Sequence, residues 1–171
     1  MEFSVEIPFW ALALSYWVHL LSTVIWLGGL TLMALVAWPA VRTDLLEAGQ
    51  WADLQRRFTP WANASLVLLW VTGFLQMTAD ENYDGFLVVD TLWAQAILIK
   101  HLAVLAMMAF GLYVQWRLHP ALARLSLVQQ KRPQVAEAER AELARREVRL
   151  LRLNLVCAAA VLFFTAVATA V

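Results

Sequence analysis

Three ionisable side chains interrupt otherwise apolar sequence: His19, Lys100 and His101. A neutral imidazole is a ligand for haem iron and for copper, and a lysine ammonium pairs with carboxylates. Inside a long hydrophobic stretch such groups are costly, which makes each a candidate site. His19 lies about ten residues into the first apolar stretch and His101 about nine into the third. At ~1.5 Å per helical residue, both sit roughly 13–15 Å below one surface. Two imidazoles at one depth on separate helices suit the axial positions of a b-type haem. Trp26, seven residues after His19, shares its helix stripe and would wall the pocket; Met108 stands in the same relation to His101. Lys100, about 100° around the helix from His101, leans toward the N-terminal end of its helix, where it would snorkel to the interface or meet a haem propionate.

A plainer reading stands beside each of these. A lone intramembrane histidine is also a helix–helix hydrogen-bonding residue. Met33, Met77, Met107 and Met108 read as adaptable core fillers before soft-metal ligands. Asn63, Ser65, Thr72 and Gln76 read as inter-helix hydrogen bonds. His119 precedes Pro120 and reads as interfacial, Asn154 as hydrated at the start of its apolar stretch, and Cys157 as a packing residue.

The elements that must carry these residues follow from composition. Of 171 residues, 62% are hydrophobic and 15% charged, against about 45–50% and 25% in soluble domains. A disordered chain and a disulfide-stapled secreted domain are excluded, and balanced charge, with 13 Lys+Arg against 13 Asp+Glu, excludes a basic nucleic-acid binder. Four stretches are long enough to cross about 30 Å of hydrocarbon: about 9–38 (ended by Pro39), 61–77, 92–116 and 151–171. None alternates as a barrel strand would, so each must be a helix. The expected fold is all-α: an integral membrane four-helix bundle forming one domain over 1–171. Trp10, Trp17, Trp38, Trp61, Trp93 and Trp116 fall toward span ends, where an aromatic belt belongs.

Twelve of the 13 basic residues lie in the first and third loops, at Arg42, Arg56 and Arg57 and then from Arg117 to Arg152. The middle loop has none and carries Asp80, Glu81, Asp84 and Asp90. Positive charge marks the cytoplasmic side, so both termini are expected outside. Residues 1–10 lack the basic start of a cleaved signal, so the first helix is expected to be retained. Residues 134–149 are rich in helix formers, with Glu142 and Arg146 spaced i,i+4, and predict a cytoplasmic helical extension running into the fourth span. No internal repeat, Gly-rich phosphate loop or low-complexity tract is visible, so nucleotide chemistry has no evident site.

HLLSTVIWLGGL (19–30) resembles the first-helix motif of the CopD (copper resistance D) family of membrane domains. RRFTPWANASLVLLWVTG (56–73), ILIKHLAVLAMMAFGLYVQWRLHPAL (97–122) and RREVRLLRLNLVCAAAVLFFTAVAT (145–169) are similar to the later helices of that family. The resemblance implies a four-helix membrane domain linked with copper uptake or sequestration. A more distant likeness to HemJ-type protoporphyrinogen oxidases, which pair a first-helix His with a third-helix Lys and are associated with haem b, falls on His19 and Lys100.

The sequence therefore favours a haem-b membrane protein, with His19 and His101 on the iron, passing electrons between a quinone pool and an external redox partner protein. Copper transport or sequestration through His19, Met77 and a helix-three histidine is the alternative. A porphyrin oxidase and a non-catalytic subunit of a larger membrane complex follow. In every case the expected partner is the lipid bilayer, and the expected location is the cytoplasmic membrane of a bacterium, crossed several times.

Overall fold

A computed structural model describes residues 7–83, 85, 88–128 and 133–171. Those residues are helical throughout apart from short connections, with no strand among them. Two compact units result, Met1–Val88 and Val89–Val171.

In the first unit, α1 (Phe9–Leu32) passes through a π-helical turn at Met33–Ala37 into α2 (Trp38–Arg42). After a turn in which Asp44 takes a left-handed φ of 57°, α3 (Ala48–Thr78) packs back along α1. Its start is fixed by a capping box: the Glu47 side chain accepts from the third helical N–H while Gln50 accepts from the Glu47 N–H at 3.0 Å. In the second unit, α4 (Leu92–Tyr113) is capped by the Thr91 hydroxyl, which accepts from Ala94 N–H at 3.1 Å. It passes through a second π turn at Val114–Leu118 into α5 (His119–Val128), and α6 (Pro133–Ala170) packs along α4.

Among the described residues four helices are long and apolar enough to cross a membrane: Phe9–Arg42, Gly49–Thr78, Leu92–Leu125 and Ala136–Ala170. The number agrees with the sequence reading, but the bounds differ for a physical reason. Pro39 does not end the first helix, and Pro120 does not end the third. A helical proline lacks its N–H and crowds the carbonyl four residues back. Here those residues are Leu35 and Trp116, and each lies inside a π turn, whose wider ring relieves the clash. The second helix starts at Ala48 rather than near 61 and carries Pro60 inside it. The extension ahead of the fourth span is helical as expected, and α6 runs unbroken for 38 residues.

The tryptophans divide. Trp10, Trp61 and Trp116 are exposed, as a lipid-facing belt requires. Trp38 instead packs edge-on against buried Trp51, with ring centroids 6.0 Å apart and an interplanar angle of 63°.

Candidate functional site

The seam between α1 and α3 is built of small and polar residues. Ser15 and Ser22 on α1 and Ser65 and Thr72 on α3 are buried. Apolar helices gain little by hiding from lipid, so close approach and hydrogen bonds must hold such a pair together. Gly29 permits that approach, since a Cβ there would fall in the Phe58 ring. Gly73 does so beside the histidine, where a Cβ would stand 3.4 Å from His19 Cε1.

His19 sits in this seam. Its Nδ1 is 2.8 Å from the Thr72 hydroxyl oxygen. The Thr72 hydroxyl has one proton, and that proton goes to the Leu68 carbonyl at 2.6 Å. With the Thr72 proton on the Leu68 carbonyl, Thr72 accepts from a His19 ring protonated at Nδ1, the tautomer that leaves the lone pair on Nε2. Further bonds bracket the pair. Ser15 donates to the Thr72 carbonyl at 3.4 Å, Gln76 donates to the Ser15 hydroxyl at 3.3 Å, and Thr23 donates to the His19 carbonyl at 2.8 Å.

His101 lies in the second unit, and its Nδ1 is 2.7 Å from the Ile97 carbonyl on its own helix. A carbonyl only accepts, so this ring too has its proton on Nδ1 and its lone pair on Nε2. A ring N–H tied to a carbonyl or an equivalent oxygen is how ligating histidines are usually oriented and made more basic. Lys100, Trp26 and Met108 are each half-buried. Trp26 keeps its place on the His19 helix, whereas buried Met107, not Met108, occupies the packed interior of the second unit.

Several readings need revision. Thr72 and Gln76 do form inter-helix hydrogen bonds, but Thr72 forms its bond with the candidate ligand itself. Ser22, one helical turn before Trp26, is buried to 2% exposure. The Asn154 amide oxygen, His119 Nε2 and Trp38 Nε1 are buried with no hydrogen-bond partner among the described residues. Ser15 was not singled out, although Ser15, His19 and Ser22 follow the i, i+4, i+7 spacing of one helix face. Among the described residues no three His, Cys, Asp or Glu side chains gather as a metal cluster.

A family model for copper resistance protein D matches residues 52–168. The chain belongs to the copper resistance protein D family. The match takes in most of α3 and continues into the last turn of α6, so it includes Thr72, Lys100 and His101. His19 and the rest of α1 precede it. Membership in this family and four membrane-crossing helices make the chain a multi-pass membrane protein. No curated protein and no solved structure matches it.

Proposed function

We propose that this member of the copper resistance protein D family handles copper within the membrane, with His19 as an imidazole donor to Cu(I). The observation that carries the reading is the Thr72–His19 bond, which directs the proton to Nδ1 and the lone pair to Nε2. Imidazole and thioether ligands suit Cu(I), and buried Met33 and Met77 belong to the same unit as His19. Copper here is cargo, held or passed on. His101, with the same proton placement, is the second donor proposed, and Lys100 is the charged neighbour that sets its surroundings. The charge distribution supports both termini on the outer face of a bacterial cytoplasmic membrane, with the basic loops inside.

The second reading is haem b, with His19 and His101 as candidate iron ligands, Trp26 and Met108 as candidate neighbours of the macrocycle, and exchange with a quinone and a redox partner. Each ring engages its Nδ1 within its own unit, and the Nε2 of such an imidazole is the kind of donor haem iron takes. Haem bound there would supply one-electron chemistry.

One preparation separates the two. The full chain, purified in detergent, is expected to be colourless and to take up Cu(I) under reducing conditions, with affinity falling at least tenfold in His19→Ala. A b-type absorption band that disappears in His19→Ala and His101→Ala would overturn the copper reading in favour of haem. Unchanged copper uptake in His19→Ala would remove His19 from the copper site.

A further inference from the structure

The second unit carries arginines where its helix pair is still apolar. Along α6, which packs against α4, Arg146 lies close to Tyr113. The two helices run antiparallel, so each step along α6 past Arg146 moves back along α4. Arg149 and Arg152 therefore stand level with about Phe110 and Met107, well inside the apolar run of α4. Both are exposed, and neither forms an ion pair among the described residues. The nearest exposed carboxylate on their own helix, Glu142, is already engaged by Arg145 at 3.4 Å and Arg146 at 3.1 Å. Glu147 is buried at 6% exposure and lies on another side of the helix.

What continues the arginine face decides the occupant. Leu153 and Val156 follow Arg149 and Arg152 at i+4, and Phe163 extends the same stripe; these three are 42%, 67% and 63% exposed. The helix thus presents two guanidinium groups followed immediately by a bare hydrocarbon strip. A free phosphate would satisfy only the first part. An amphiphile with a phosphate head and acyl chains satisfies both.

We propose that Arg149 and Arg152 bind the headgroup phosphate of an anionic phospholipid whose chains lie along Leu153, Val156 and Phe163. Guanidinium groups bind phosphate through paired N–H donors, and at the margin of the hydrocarbon they are poorly solvated without it. The site is separate from His19 and does not depend on what metal the protein carries.

The test uses the full chain reconstituted in vesicles of equal parts phosphatidylcholine and phosphatidylglycerol, re-extracted, and weighed with its retained lipids by native mass spectrometry. Phosphatidylglycerol is expected in excess over phosphatidylcholine, and Arg149→Gln with Arg152→Gln is expected to lower its retention by about fivefold per arginine. Arg149→Lys with Arg152→Lys should keep part of the preference, and Arg140→Gln, further from the apolar strip, should keep all of it. The single Gln variants provide the same readout if the double variant expresses poorly. Equal retention in the Gln variants, or an equal loss in Arg140→Gln, would overturn the proposal. Complete displacement by inorganic phosphate would also overturn it, by showing an anion site indifferent to the lipid chains.

Discussion

The two units share a plan and differ in what joins their helices. In each, a long first helix passes through a π turn and an X-Pro pair, and a second long helix returns along it. In the first unit the seam is polar, and Ser15, His19, Thr72 and Gln76 bond across it. In the second the buried residues include Trp93, Ala96, Met107, Leu118 and Ala158, with Glu147 the buried charged one, while Asn154 Oδ1 and His119 Nε2 are buried with no hydrogen-bond partner among the described residues. The imidazoles show the consequence. His19 is aimed by a residue of the neighbouring helix, whereas His101 is aimed by its own backbone, through Ile97. The lone pair of His19 therefore depends on α1 and α3 staying in register, and that of His101 does not depend on α6.

The contrast can be broken most forcefully at Gly29. Gly29→Leu places a side chain in the Phe58 ring and should destabilise the first unit by about 3 kcal/mol, at the upper end of overpacking costs. Unfolding in mixed micelles, followed by Trp fluorescence, would show it; a midpoint equal to that of the parent protein would mean that α1 and α3 do not pack this closely. Thr72→Val keeps the shape and removes the hydroxyl, so Cu(I) affinity should fall about 10–100-fold, as when the partner of a ligating histidine is lost. Thr72→Ser should restore most of it. Ring nitrogen NMR of the metal-free protein provides a separate check: the Nδ1–H form of His19 should become mixed in Thr72→Val while His101 is unmoved.

Smaller effects sharpen the same comparison. Gln76→Leu removes one cross-seam bond and should cost about 0.6 kcal/mol, the average for such bonds between membrane helices. Asn154→Leu in the other unit removes a buried oxygen with no partner among the described residues, and stability should be unchanged or higher. A loss larger than that of Gln76→Leu would show that Asn154 has a partner after all. Least of all, Glu142→Gln removes exposed pairs with Arg145 and Arg146 and should shift stability by less than about 0.5 kcal/mol, with a smaller effect still at high salt.

Much of this was legible in the sequence because hydrocarbon is an undemanding solvent. It asks only for length and apolarity, and the four spans announce both. The helix ahead of the fourth span was legible from its Glu142–Arg146 spacing, which the structure closes at 3.1 Å. The start of α3 was missed because Gln50, Asp53, Gln55, Arg56 and Arg57 are polar, although Glu47 and Gln50 already held the spacing of a cap. Pro39 was misread as a stop because a π turn leaves no mark in composition. The Thr72–His19 bond joins residues 53 apart in sequence; spacing could place both on inward faces but could not pair them.

The π turns have a consequence for how this chain can change over generations. A π turn holds one residue more than the α-helical path it replaces, so Met33–Ala37 and Val114–Leu118 each have the form of a single-codon insertion. Removing one residue from Met33–Ala37 would restore α-helical winding and swing everything beyond it by about 100°. Trp38 would swing away from Trp51, and Pro39 would again crowd a carbonyl. Each π turn and the proline after it are thus tied as an inherited pair: lineages that lose one are expected to lose the other.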